Sequence, residues 1–90
     1  MKTFRRKIYD DRVGKERFQT FHEYLGKVGT HATTLIWLFE PAEVGKIVRG
    51  IDADCGADPN KHNYAFRYTE WRSYYVTKIY DNGYIFLDRL

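Results

Sequence analysis

The chain of 90 residues predicts an α+β fold, a mostly antiparallel sheet with two helices in the order β-α-β-α-β-β-β. Three observations lead to this prediction. Apolar residues recur at helical spacing in residues 13–28, and an uninterrupted β-branched and aromatic run occupies residues 33–39. The turn signal Asp81-Asn82-Gly83 lies between two strand-like segments and predicts a C-terminal β-hairpin. We expect one compact domain over residues 1–90, because so short a chain has no room for two cores.

Residues 2–9 alternate in character, which is typical of a strand with one side toward a core. One side holds Phe4, Arg6 and Ile8. The other side holds Thr3, Arg5, Lys7 and Tyr9. This pattern predicts an edge strand with a strongly basic outer side. Asp10 and Asp11 end the strand, and either could cap the helix expected after it.

Two segments predict helices. In residues 13–28, spacings of three, four and seven place a set of apolar side chains on one helical face: Val13, Phe18, Phe21, Tyr24, Leu25 and Val28. Residues 40–51 begin with Pro41 among acidic residues, as helix N-termini often do. Their apolar face would consist of Val44, Ile47, Val48 and Ile51.

The remaining segments predict strands and a loop. Residues 33–39 lack alternation and therefore predict a central strand buried on both faces. Residues 52–60 are rich in small and turn-forming residues and predict a loop. Residues 64–68, 74–80 and 84–90 predict the last three strands.

The hairpin turn allows two registers that expose opposite faces. A two-residue loop pairs Asp81 with Tyr84, and a three-residue loop with left-handed Gly83 pairs Tyr80 with Tyr84. We favour the second, because it separates an aliphatic from an aromatic face. The aliphatic face would hold Tyr75, Thr77, Ile79, Ile85 and Leu87. The aromatic face would hold Tyr74, Val76, Lys78, Tyr80, Tyr84 and Phe86, and we expect that the chain's own helices do not fully cover it.

Composition favours a binding surface over a catalytic site. The net charge is +3, with Lys and Arg concentrated in the first and last thirds of the chain, and aromatic residues make up 18%. If both ends meet in one sheet, they form a positive face with aromatic side chains. The single cysteine, Cys55, fits a cytoplasmic protein. The N-terminus lacks the apolar run of a signal peptide.

The sequence contains only weak candidates for a metal-binding or catalytic site. Asp52, Asp54, Asp58 and Asn60 resemble a cation loop, but Gly56, Ala57 and Asn63 stand where ligands or the required glycine should be, so we expect a solvated acidic loop. The histidines His22, His31 and His62 have no metal-ligand spacing. A pair of Cys55 and His62 would lack an orienting group. We therefore expect no metal, no cofactor and no catalytic site.

The leading hypothesis is a non-enzymatic protein that docks a Tyr/Arg/Lys-rich sheet face on a protein or ribonucleoprotein. The candidate partner-binding residues are Arg5, Lys7, Arg67, Arg72, Tyr74, Lys78, Tyr80, Tyr84 and Phe86. Tyr and Arg dominate protein–protein hot spots, and aromatic residues with cations also hold single-stranded RNA or DNA. Small domains of this kind are common among inhibitors, such as phage proteins that block host enzymes or defence complexes.

Two alternatives remain open. The first is RNA binding or a small toxin-like ribonuclease, for which the candidates are His62, Arg67, Arg72, Tyr74 and Lys78. The second is a homodimeric structural module that is closed through the aromatic hairpin face.

Overall fold

The computed structural model describes residues 2–52 and 67–90, and this part of the chain is built from strands. The strands are β1 (Lys2–Asp10), β2 (Lys15–Val28), β3 (Thr34–Leu38), β4 (Ile47–Asp52), β5 (Arg72–Ile79) and β6 (Ile85–Arg89). A short 3-10 turn, Tyr68–Glu70, precedes β5. No α-helix occurs among the described residues, so the predicted α+β class is wrong and the fold is nearly all antiparallel β-sheet.

Strands β2 to β6 form a closed barrel. Each strand pairs antiparallel with the next one along the chain, and β6 returns to pair with β2. The closing pair is parallel and joins residues 26–28 to residues 85–87. This direction follows from the strand number, because the first and fifth of five alternating strands run the same way. Because β6 pairs with β2, the sheet of β2 to β6 has no open edge along its paired residues.

A two-stranded ribbon extends the barrel. We define the ribbon as β1 together with residues 15–23 of β2, which pair along their whole length. Glu23 pairs with both Lys2 and Trp37, and Gly26 pairs with both Thr34 and Ile85. Strands β1 and β6 therefore follow one another along the same edge of β2, opposite β3.

The structure has two hydrophobic cores on opposite faces of the sheet, so the expectation of a single core is wrong. The barrel core draws on every strand of the barrel and consists of Tyr24, Val28, Ile36, Leu38, Val48, Tyr74, Val76, Ile85 and Leu87. The second core lies between the ribbon and the outer face of β3 and β4, and its buried members are Ile8, Phe21, Trp37, Ile51 and Trp71. Strand β3 contributes to both cores, which confirms the predicted central strand buried on both faces.

The helix predicted over residues 13–28 is wrong, because this segment is the turn before β2 and β2 itself. Phe21 faces the second core, whereas Tyr24 and Val28 face the barrel core. A strand that buries one face throughout has apolar residues at even separations. Strand β2 changes its buried face between Phe21 and Tyr24, which gives a separation of three. Val28 follows Tyr24 by four residues on the same face, and the two spacings together imitate a helix.

The second predicted helix, residues 40–51, is also wrong. Residues 39–46 connect β3 to β4, and Gly45 has a φ of 85° there. In β4, Val48 faces the barrel core and Ile51 faces the second core, again three residues apart. Burial on both faces of a short strand thus produced the helical spacing.

The hairpin register is the predicted three-residue one. The Tyr80 backbone N–H donates to the Tyr84 carbonyl at 2.8 Å, and the Gly83 N–H donates to the Tyr80 carbonyl at 2.9 Å. Gly83 has a φ of 87°, which suits glycine at this position of the loop.

A β-bulge at Thr77 changes the predicted faces of β5. Val76 pairs with Leu87 and Lys78 pairs with Phe86, so Thr77 is an extra residue. Tyr74 and Val76 therefore lie in the barrel core, whereas the structure exposes Tyr75 and Thr77. After the bulge, from Lys78 onward, the aromatic and aliphatic faces are as predicted. Before the bulge, the two predicted faces are exchanged.

Part of the predicted organisation falls outside the described residues. This holds for most of the loop at 52–60, with Cys55, and for His62 and residues 64–66 of a predicted strand. Asp52 ends β4 and is buried, where it accepts hydrogen bonds from Tyr74 and Arg89. Tyr68 begins the 3-10 turn instead of ending a strand.

Gly26 is a position where barrel closure can be tested. A Cβ at Gly26 would overlap the backbone carbonyl oxygen of Ile85 on the closing strand. We expect Gly26→Ala to lower the free energy of unfolding by about 2 kcal/mol or more, because neither backbone can give way cheaply. Urea denaturation measures this loss. The matched control is Leu25→Ala at the adjacent exposed position, and equal stability of the two variants would contradict the closure of β2 on β6.

Candidate macromolecule-binding surfaces

Seven of the nine candidate partner-binding residues separate into two surfaces. Arg5, Lys7 and Arg67 lie on or beside the ribbon. The second surface, which we call the hairpin patch, lies on β5, β6 and their turn and comprises Lys78, Tyr80, Tyr84 and Phe86. The structure therefore does not combine them into the single sheet face that the sequence suggested.

The ribbon face is the outer side of the ribbon, and Arg5, Lys7 and Phe18 form its centre. Lys7 pairs with Phe18 across the two strands. The guanidinium of Arg5 lies 5.2 Å from the centre of the Phe18 ring, and the Lys7 ammonium lies 6.0 Å from it. Phe18 is 56% exposed, an unusual position for a phenylalanine. Alternation along β1 predicted the basic side correctly.

Tyr9 and Arg67 extend the ribbon face toward the 3-10 turn. Arg67 forms an isolated parallel bridge with Tyr9, and its guanidinium lies 5.5 Å from the centre of the Tyr9 ring. Both side chains are exposed. A cation from the last third of the chain thereby joins the cations of the first strand, as the charge distribution suggested.

The hairpin patch is an aromatic cluster. The Tyr80 and Phe86 rings meet edge to face at 5.4 Å, and the Tyr84 and Phe86 rings do so at 5.6 Å. The Lys78 ammonium lies 4.6 Å from the centre of the Tyr80 ring. Tyr80 is 38% exposed, and Tyr84 and Phe86 are partly exposed.

A shallow depression opens on the hairpin patch. It is lined by Tyr80, Asp81, Asn82, Tyr84 and Phe86. Lys27 of β2 pairs in register with Phe86, so it borders the aromatic cluster on the side opposite Lys78. The cluster therefore lies between two lysines, with Asp81 at the turn.

Two candidate residues take other positions. Tyr74 is fully buried in the barrel core, and its hydroxyl donates to the Asp52 carboxylate at 3.0 Å. It therefore stabilises the fold and does not face a partner, a correction that follows from the bulge at Thr77. Arg72 is exposed at the start of β5, opposite Gly50 of β4.

The ribonuclease candidates do not converge among the described residues. Arg72 and Lys78 lie near opposite ends of β5, about 20 Å apart at the usual rise per residue. Tyr74 lies inside the barrel between them, and Arg67 lies beside the ribbon. His62 lies outside the described residues.

A buried ion-pair network supports the ribbon face from beneath. Asp10 is 2% exposed and accepts hydrogen bonds from the Arg12 Nε at 3.0 Å and Nη2 at 2.8 Å, and from the Arg17 Nε at 3.0 Å. Hydrogen bonds from Arg12, with a smaller contribution from Arg17, hold the pKa of the Asp10 carboxyl well below its ordinary value. This network fixes the end of β1 and the turn into β2.

Contacts between aromatic rings, most of them tilted or edge to face, fix the inner side of the ribbon. An almost continuous series of ring contacts runs through Phe4, Phe21, Trp37, Phe39, Trp71 and Tyr68. The Arg12 guanidinium lies 3.5 Å from the centre of the Tyr68 ring, and Arg49 lies against the same ring. The ribbon is thus held on its inner side, which leaves its outer side for contacts with other molecules.

Sequence reasoning missed Phe18 and the Asp10 network. Helical spacing places Phe18 on the buried face of a helix, and the sequence pattern makes Asp10 a strand end or a helix cap. One signal could have found Phe18: as a strand, residues 16–22 place it on the same side as Glu16, Thr20 and His22, which are polar. No comparable local signal marks Asp10, because its partners come from the turn and from the next strand.

Across residues 2–52 and 67–90, no three His, Cys, Asp or Glu side chains converge on a point that could hold a metal ion. That same part of the chain contains no helix long and apolar enough to cross a membrane. The chain matches no protein-family model, and no similar curated protein or solved structure was found.

The Asp10 network predicts how stability depends on pH. Because the pKa of Asp10 is lower in the folded than in the unfolded chain, its stabilising contribution is complete above the ordinary Asp pKa of about 4 and disappears as the pH falls through the lower, folded value. We expect Asp10→Asn to be less stable than the wild type at pH 7 and to lose less stability between about pH 5 and pH 2.

Urea denaturation at several pH values measures this difference. Asp88→Asn is the matched control, since Asp88 is exposed on β6. Parallel stability curves for the wild type and Asp10→Asn would contradict the role of the network.

Proposed function

We propose that this chain is a non-enzymatic binding protein that docks its hairpin patch on a protein partner, alone or within a ribonucleoprotein. The observation that supports this proposal most is the three-ring cluster of Tyr80, Tyr84 and Phe86, which remains partly exposed. Rings that pack against one another are already ordered, so binding costs little conformational entropy. Rigid aromatic anchors of this kind dominate the energetics of many protein interfaces.

The surroundings of the patch indicate the chemistry of the partner. Lys27 and Lys78 flank Phe86, so the complementary surface would hold an apolar pocket for the rings, with carboxylates beside it. The depression at the turn also presents Asn82 and Asp81, whose polar atoms suit the rim of an interface. A role as an inhibitor of a larger enzyme or complex would use this surface to cover the partner's own functional site.

The strand that carries Phe86 in the hairpin patch is held in place by the barrel. The Ile85 and Leu87 side chains of β6 alternate with Phe86 and are buried in the barrel core. The strand that presents Phe86 is therefore anchored on its inner side, and β6 is paired on both edges. Binding through this surface needs no rearrangement of the barrel.

The test is a comparison of variants in a binary complex. Immobilised protein first captures candidate partners, and each candidate is then purified and titrated against the chain by calorimetry. We expect Tyr80→Ala and Phe86→Ala each to weaken the binary Kd by about 25-fold or more, the usual size of a hot-spot effect. The matched control is Tyr75→Ala, since Tyr75 is 40% exposed on β5 outside the patch.

Two outcomes would overturn this proposal. Equal affinity of the wild type and Phe86→Ala for the purified partner would remove the hairpin patch from the interface. A dimer mass for the wild type by light scattering at micromolar concentration, with a monomer mass for Phe86→Ala, would assign the patch to a second copy of the chain instead.

A further inference from the structure

The ribbon face is a second exposed surface, on elements that do not include the hairpin patch. From Arg5, Lys7, Tyr9, Phe18 and Arg67 together, we propose that the ribbon face binds single-stranded nucleic acid. This inference goes beyond the protein-docking function proposed for the hairpin patch and does not depend on it.

The first argument is the arrangement of the cations. Arg5 and Lys7 are two residues apart on one side of β1, about 6.6 Å at the usual strand rise. That separation is close to the spacing of successive phosphates in an extended single strand. Neither side chain forms a salt bridge with a carboxylate among the described residues, whereas Arg12 and Arg17 are both paired with Asp10. Arg5 and Lys7 are therefore available to phosphates.

The second argument is the exposure of the rings. Phe18 and Tyr9 lie on the same face as the cations, and Phe18 is more than half exposed. An exposed ring on a rigid sheet offers a stacking platform to any base, because every base has a π-face. Bases in a duplex are already stacked on their neighbours, so this contact selects unpaired strands.

The third argument is the rigidity of the platform. Phe21 pairs with Phe4 on the inner side of the ribbon and lies in the second core, and the end of the ribbon is held by the Asp10 network. Glu16, opposite Tyr9 in the register, is an acidic residue on the same face. Its negative charge opposes phosphate binding, and this makes it a useful position for a variant.

The experiment is a titration of labelled oligo-uridine and oligo-thymidine, with a duplex of the same length, followed by fluorescence anisotropy between about 50 and 200 mM salt. Three cations in contact with phosphates predict a slope of log K against log salt of about −2 for the single strands. We expect both single strands to bind more tightly than the duplex.

Variants then separate stacking from charge. Phe18→Ala should weaken binding by about 5- to 140-fold without changing the salt slope, whereas Phe18→Trp should retain binding. The pair Arg5→Ala and Lys7→Ala together should reduce the slope to about −0.7. The control removes an exposed lysine outside both surfaces, Lys46→Ala, and should retain the slope of the wild type.

The weaker binding expected of the alanine variants could also arise if they failed to fold. A variant that is expected to bind more tightly removes this ambiguity, because loss of folding would not increase affinity. Glu16→Lys adds a cation to the ribbon face, and we expect it to bind single strands more tightly than the wild type. Failure of the wild type to bind either oligonucleotide at low salt would overturn the inference. Equal affinity for the duplex, or equal binding by Phe18→Ala, would also overturn it.

Tyr80→Ala separates this inference from the function proposed above. This variant should bind the single strands as the wild type does, because Tyr80 lies on the hairpin patch. A loss of nucleic-acid binding in Tyr80→Ala would show that the two surfaces act as one and would contradict an independent ribbon site.

Discussion

The architecture depends on one strand that changes its buried face. In its first half, β2 buries Phe21 against the second core, and in its second half it buries Tyr24 and Val28 in the barrel. The same strand therefore belongs to the ribbon and to the barrel. Gly26 permits the close approach of β6 just after this change, because any side chain there would meet the backbone of Ile85. The ribbon, the closure of the barrel and the separation of the two cores all follow from the change of buried face in β2 and the close approach at Gly26.

The two cores also determine which surfaces are available for binding. The barrel core uses the inner side of β6, so Phe86 and its neighbours face outward. The second core uses the inner side of the ribbon, so Arg5, Lys7 and Phe18 face outward. Each candidate surface is thus the reverse side of a well-packed strand pair. Such surfaces can present aromatic side chains to a partner without exposing the residues that stabilise the fold.

Much of the candidate site could be predicted from the sequence, but its assembly could not. Alternation along residues 2–9 correctly placed Arg5 and Lys7 on an outer side, and the turn signal correctly placed Tyr80 opposite Tyr84. Tyr74 was misplaced because a single extra residue in β5 inverts the alternation before it. Phe18 was misplaced because apolar spacing across a change of buried face imitates a helix.

The sequence by itself determined the local features: the polarity of β1, the burial of β3 on both faces, and the three-residue loop that Gly83 allows. These depend on alternation, on uninterrupted apolar character and on the freedom of glycine, which are properties of neighbouring residues. Only the tertiary structure decided which face of β2 is buried at each point, and that Arg67 joins the ribbon face. The physical reason is that a strand has two equivalent faces, and the elements packed against it decide which of them is removed from water.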